Sequence, residues 1–172
     1  MEFSGNGYRL RQWALSDGPG IAKYANNRKI WRNLSGEFPY PYTEEDAARW
    51  LGEVARGAFS EDVFVIEIEN EAVGVLGIKP MENVHRKSLG LGYWLGEPFW
   101  GRGIMSDVVL KVTDEIFRSR DAVRIQASVF GWNAASGRVL EKAGFSLEGR
   151  LRKAIYKDGE FTDELIYGKL RP

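Results

Sequence analysis

Two stretches hold the residue types from which chemistry could be built. The first is Pro98-Phe99-Trp100-Gly101-Arg102-Gly103-Ile104-Met105, set between an apolar run at Leu89 to Leu95 and an amphipathic run ending at Phe117. It reads as a strand, a short glycine-bearing loop and a helix. Such a loop leaves backbone N–H groups unpaired at a helix N-terminus, and the positive end of the helix dipole adds to them. Together they form an anion site, with phosphate the usual anion. Gly101 and Gly103 suit a backbone that must come close to a ligand. A plain strand–helix turn would use the same glycines. No Gly-Lys-Ser/Thr follows, so a nucleoside-triphosphate loop is not indicated. The second stretch is Asn133-Ala134-Ala135-Ser136-Gly137-Arg138-Val139-Leu140-Glu141-Lys142-Ala143-Gly144-Phe145. Asn133 and Ser136 lie three apart and share a helix face, as do Arg138 and Lys142 four apart. Asn133 also makes a good helix cap. Gly137 inside a helix costs about 1 kcal/mol against alanine, which points to a neighbour passing close by.

Composition narrows the chemistry. The chain has no cysteine and one histidine, His85. That excludes disulfides, a cysteine nucleophile, cysteine-ligated zinc and a His-rich metal cluster, so no metal is expected. His85 falls in a polar connection, either as a surface residue or as a pH-dependent base. The 24 basic and 24 acidic side chains cancel, which argues against a nucleic-acid surface. No apolar run approaches the roughly 20 residues of a membrane span. Met1 to Gly7 lacks the basic and apolar regions of a leader. A cytoplasmic protein without a membrane partner is the expectation. At 172 residues, positions 1–172 read as one domain.

The elements that must position these residues follow from periodicity and turn chemistry. Tyr8 to Leu15 alternates as a half-buried strand. Ser16-Asp17 offers caps for a helix with Ile21, Tyr24 and Ala25 inward. Trp31 to Tyr42 is aromatic and irregular. Thr43 with Asp46 forms a capping box for a helix with Ala47, Trp50, Leu51 and Val54 inward. Val63–Ile68 and Ala72–Ile78 read as a hairpin turned at Glu69-Asn70-Glu71. Ser88 to Leu95 is a strand with Gly90 and Gly92 on one face. The helix from Gly103 carries Ile104, Val108, Val112 and Ile116 in one stripe. Val123–Val129 is a strand. Asn133–Ala143 is a helix closed by Gly144. Two last strands, Phe145–Tyr156 and Glu160–Leu170, join at Lys157-Asp158-Gly159. This order argues α+β with a mixed, mostly antiparallel sheet.

Pro98 to Met105 resembles the pyrophosphate loop of the GCN5-related N-acetyltransferases (GNAT). Asn133 to Phe145 resembles the Asn-x-x-Ser…Glu-Lys-x-Gly-Phe helix of that superfamily, closest to the branch that acetylates ribosomal-protein N-termini. The resemblance implies the GNAT fold, a sheet splayed in a V between the strands of Tyr93 and Val129, with helices on both faces and acetyl-CoA in the V. It implies direct acetyl transfer to a primary amine, a protein or peptide α-amine first. A small amine such as a polyamine, aminoglycoside or amino-acid derivative is a second acceptor class, and a non-catalytic acyl-CoA-binding module a third reading. It further implies a cofactor site of Tyr93, Trp94, Leu95, Trp100, Gly101, Arg102, Gly103, Ile104, Met105, Asn133, Ser136, Arg138 and Lys142. The backbone near Trp94 and Leu95 would polarise the thioester. Asn133 would bond the pantetheine, and Ser136 would assist the departing thiolate. Trp31, Asn33, Phe38 and Tyr40 are the candidate acceptor lip. Tyr156 and Tyr167 either reach the site or fill the sheet. A homodimer is compatible with the resemblance. The chain departs from the family in five places. Trp100 stands where Gln or Arg is familiar and Met105 where Gly or Ala is, and Leu140 stands where many members have a tyrosine. Ile155 stands at the branch's glutamate, and Gly90 where an acidic residue often precedes Gly-Tyr-Trp.

Overall fold

The computed structural model describes residues 1–57 and 62–172. It is mixed α+β and mostly antiparallel, as the element order requires. Eight strands are described: β1 (Phe3–Gly5), β2 (Tyr8–Gln12), β3 (Asp62–Ile68), β4 (Glu71–Pro80), β5 (Ser88–Leu95), β6 (Arg124–Phe130), β7 (Ser146–Lys157) and β8 (Glu160–Leu170). The helices are α1 (Gly18–Ala25), α2 (Arg28–Trp31), α3 (Glu44–Ala55), α4 (Ile104–Ser119) and α5 (Ala134–Lys142). They fall into two compact units, Met1–Ile78 with Tyr93–Ile104, and Lys79–Gly92 with Met105–Pro172.

In the first unit β1, β2, β3 and β4 are antiparallel neighbours in sequence order. Glu69 and Asn70 have φ of 51° and 65°, the two-residue turn whose twist matches flanking strands. Val63, Phe64, Val65 and Ile66 are all buried, so β3 is covered on both faces rather than alternating. Its Val63 and Val65 pack with Ile21 and Ala25 of α1 and Ala47 and Leu51 of α3. The Thr43 cap of α3 forms as expected: Asp46 N–H donates to Thr43 Oγ1 at 3.1 Å, and Thr43 N–H donates to Asp46 Oδ2 at 3.0 Å.

Two short elements carried no sequence signal, and one expectation needs correction. Phe3–Gly5 forms a strand, too short to show a period but pinned antiparallel to β2. Arg28–Trp31 is a short helix capped by Asn27, whose side chain accepts from Lys29 N–H at 2.8 Å. Asp17 makes no side-chain cap on α1. Its buried carboxylate instead accepts from Arg11 at 2.7 and 2.9 Å and from Ala14 N–H at 2.7 Å. A buried carboxylate is stable only when paired and hydrogen-bonded, and that need outweighs a cap.

Tyr42 is buried against this core, its ring stacked on Phe38 at 4.7 Å. Burial pushes its hydroxyl pKa up to about 12, and Asp46 adds to the shift while Arg49 opposes it. The folded state therefore holds this proton more tightly than the unfolded chain, whose tyrosines titrate near ~10. The resulting stability is full below ~10 and is lost as pH rises through about 12. Ultraviolet titration is expected to show one tyrosine ionising late, absent in Tyr42→Phe, with the melting temperature falling over the same window.

In the second unit β5 runs parallel to β6, β6 antiparallel to β8, and β8 antiparallel to β7. The β5–β6 ladder covers Ser88–Gly90 against Arg124–Gln126, while β6 stays paired with β8 through Phe130. Val108, Val112 and Ile116 of α4 are buried as their spacing requires. Asp158 and Gly159 have φ of 54° and 79°, again a two-residue hairpin turn.

Candidate functional site

The anion loop of the first unit is a braced structure. Gly96 sits against Tyr24 and Val73; a Cβ there would lie 2.9 Å from the tyrosine ring and 3.1 Å from the Val73 carbonyl. Its N–H donates to Val73 O at 2.7 Å. A 3-10 turn, Glu97–Phe99, follows. Glu97 accepts from Asn27 Nδ2 at 2.7 Å and from Lys29 Nζ, and these partners hold its pKa below the usual carboxylate range. Phe99 meets Tyr24 edge-on at 5.5 Å. The loop then turns through Gly101 and Gly103, with φ of 74° and 76°, into the N-terminus of α4. Both glycines are exposed, and nothing lies within 4 Å of where their Cβ atoms would be. Exposed N–H groups on an open, left-handed backbone at a helix start can cradle an anion.

The side chains around this loop differ in what they can offer. Arg102 is exposed, its guanidinium 5.4 Å from the Phe99 ring. Trp100 donates its indole N–H to Leu95 O at 2.6 Å. It therefore ties the end of β5 to the loop, where the familiar Gln or Arg would point a polar group outward. Tyr93 and Trp94 are half-buried, Trp94 packing on the α1–α3 core; Leu95, Ile104 and Met105 are buried. Leu95, Ile104 and Met105 carry no side-chain donor, so any hydrogen bond they make to a ligand belongs to their backbone.

Of the expected acceptor lip, Trp31, Asn33 and Phe38 are half-buried and Tyr40 is exposed. One side of Phe38 packs on the core with Tyr42. Tyr40 is exposed and meets Trp31 at 5.6 Å. Asn33 donates to Lys29 O at 2.8 Å, securing the end of α2. Tyr40 is the most exposed of the three rings.

In the second unit, Asn133 caps α5: its Oδ1 accepts from Ser136 N–H at 3.2 Å. Asn133 and Ser136 are half-buried in the first turn, while Arg138 and Lys142 are exposed. Leu140 is fully buried. The helix closes with Phe145 N–H donating to Leu140 O at 3.0 Å and Gly144 N–H to Glu141 O at 3.1 Å. These are the two backbone bonds of the helix-closing motif that ends on a left-handed glycine. Gly144 has φ of 86°.

The neighbour that Gly137 requires is Tyr167. A Cβ on Gly137 would lie 2.8 Å from the Tyr167 hydroxyl. That hydroxyl donates to Glu141 Oε1 at 3.2 Å. Burial, then the Glu141 charge, raise the Tyr167 pKa, so the phenol stays neutral and locks α5 to β8. The helical glycine was the sequence signal for this contact; only the fold names its partner. Tyr156 instead lies exposed at the β7–β8 turn, beside Phe161 at 4.9 Å. His85 is exposed in a 3-10 turn, Asn83–His85. Among the described residues no group of three or more His, Cys, Asp or Glu could hold a metal ion, and no helix is long and apolar enough to cross a membrane.

Residues 8–146, running through both units, match the Acetyltransferase (GNAT) domain family. The chain belongs to the GNAT family. It is 35% identical over 102 residues to the uncharacterized N-acetyltransferase YoaA of Bacillus subtilis, covering 59% of this chain and 57% of that protein. It is 29% identical over 147 residues to the ribosomal-protein-serine acetyltransferase of Escherichia coli, covering 83% of this chain and 80% of that one. Among solved structures, the ribosomal L7/L12 alpha-N-protein acetyltransferase RimL, in complex with coenzyme A, superposes with a TM-score of 0.82 at 27% identity, over 96% of this chain and 95% of that one. The GNAT relatives are N-acetyltransferases, and the enzyme class and the α+β fold expected from the two motifs are those of the family.

Proposed function

We propose that this GNAT enzyme transfers the acetyl group of acetyl-CoA directly to the α-amine at a protein or peptide N-terminus. The observation that carries this reading is the match, over nearly the whole chain, to an alpha-N-protein acetyltransferase that binds coenzyme A. The open glycine cradle at the start of α4 supports it. In this reading the backbone from Gly101 to Met105 takes the pyrophosphate, and Arg102, Arg138 and Lys142 add charge. Backbone N–H groups near Trp94 and Leu95 hold the carbonyl oxygen. Asn133, whose Oδ1 is used on Ser136, turns its amide N–H groups to the pantetheine. The Ser136 hydroxyl protonates or stabilises the thiolate. An α-amine with a pKa near ~8 is partly neutral at pH 7, whereas a lysine amine near ~10.4 is not, which favours the α-amine.

Mass spectrometry of an amine panel incubated with acetyl-CoA tests this. The panel holds peptides beginning with Ser, Ala and Met, polyamines, aminoglycosides and free amino acids. Acetylation of one peptide class is expected, slowed about 10- to 100-fold by Ser136→Ala. Product only on a small amine would move the acceptor class. Acetyl-CoA binding without product on any amine would favour a binding module.

A further inference from the structure

In the proposed transfer an acceptor ammonium must lose a proton before its nitrogen can attack, yet the two places where the family resemblance implies a carboxylate hold Ile155 and Gly90. The second unit presents a carboxylate on the same side of the sheet as Ile155. Strand alternation sets the sides. Tyr167 points to α5, so its neighbours Glu164 and Ile166 lie on alternate positions with Ser128 and Phe130 of β6, their cross-strand partners, away from that helix. On β7, Leu151 is the partner of Glu164 and Ile155 the partner of Thr162. Thr162 and Glu164 are two apart on β8, so Ile155 and Glu164 share a face, one strand and one alternate position from each other.

The surroundings of Glu164 suit a base. It is half-exposed, and Oε1 accepts a hydrogen bond from Ser128 Oγ. Ser128 lies on Ala127–Phe130 of β6, beyond the last recorded β5 ladder pair, Gly90 with Gln126. The nearby acids are engaged with cations. Glu148 is salt-bridged to Arg124, which holds its pKa down. Asp163 accepts from Arg150 Nε at 2.5 Å and from Lys153 N–H at 2.8 Å, which stitches the β7 bulge. A carboxylate neutralised by a cation is a poor proton acceptor; one held by a hydroxyl keeps its charge uncompensated.

We infer that Glu164, oriented by Ser128, accepts the proton of the acceptor amine, replacing from β8 the glutamate that Ile155 displaces on β7. The inference rests on the acetyl-transfer reading. Glu164 takes one proton from the ammonium. The freed nitrogen lone pair forms the C–N bond, the nitrogen sheds a second proton to solvent, and the C–S bond breaks, leaving its electron pair on sulfur. The thiolate takes one proton from solvent through Ser136, and Glu164 returns its own to solvent, so one acetyl group moves and one net proton is released.

The test compares wild type, Glu164→Gln and the double variant E164Q/I155E. Each is assayed with an N-terminal serine peptide, mostly protonated at pH 7, and with hydroxylamine, largely neutral there; acetyl-CoA binding is followed by calorimetry. Glu164→Gln is expected to lower kcat on the peptide about 100-fold. It should leave acetyl-CoA affinity unchanged and hydroxylamine acetylation nearly so. The added I155E is expected to recover at least about tenfold of the peptide rate, because a carboxylate returns to the same face. Unchanged peptide turnover in Glu164→Gln overturns the inference, as does an equal loss on both acceptors, which would indicate a structural role. Wild-type acetyl-CoA binding without turnover of either acceptor overturns the transfer reading itself, and the role of Glu164 with it.

Discussion

Gly137→Ala is expected to lower the melting temperature by roughly 5 °C. The new methyl would meet the Tyr167 oxygen at 2.8 Å. Neither side has room to yield. Tyr167 is 4% exposed and its hydroxyl is bonded to Glu141 at 3.2 Å; Gly137 lies inside α5. Overpacking of this kind costs about 1–3 kcal/mol, and the better helix propensity of alanine returns at most about 1 kcal/mol. Tyr167→Phe removes the clashing oxygen, leaving the nearest ring carbon at 3.5 Å, an ordinary contact. The double variant is therefore expected to melt above Gly137→Ala, although Tyr167→Phe alone gives up about 1 kcal/mol with its hydrogen bond. Thermal melts of the four proteins form a closed cycle. A Gly137→Ala protein as stable as wild type would show that α5 does not rest on Tyr167.

The second large effect is on ligand binding. Gly103→Val is expected to weaken acetyl-CoA binding at least about tenfold while changing the melting temperature little. Gly103 has φ of 76°, and left-handed backbone costs an L-residue about 1–2 kcal/mol, more when it is β-branched. No atom within 4 Å obstructs a Cβ there. The strain is relieved by turning the exposed loop, which re-aims the N–H groups in front of α4 and leaves the core untouched. Isothermal titration with acetyl-CoA and a parallel melt check it. Unchanged affinity would remove this loop from the cofactor site; a large loss of stability would mean the turn is structural.

Much of the chain could be read without a fold because its signals are local. The Thr43–Asp46 capping box, the Ile104–Ile116 stripe, the Asn133 cap and the Asp158-Gly159 turn all formed where their residue types demand. Each depends on backbone dihedrals and on periods of 3.6 or 2 within one segment. The same locality misleads where a distant partner intervenes. Asp17 has the right type and place for a cap, yet Arg11 takes it. Phe38 looks like an exposed aromatic in an irregular loop, yet one side of it packs on Tyr42 and the α1–α3 core.

By itself the sequence determined the order of the longer elements, the glycine turn into α4, the capped first turn of α5 and, through the two motifs, the family. It also showed that something must approach Gly137 and that the familiar carboxylates are missing. Only the tertiary structure decided that Tyr167 fills the first gap and that Leu140 is fully buried. It likewise brought Glu164 onto the face of Ile155. The physical reason lies in register. Arg152, Lys153 and Ala154 stand opposite the single residue Asp163, and the side on which each later β7 residue falls depends on the size of that bulge. A register is set by the packing and hydrogen bonds of two strands together, which neither strand's sequence carries alone.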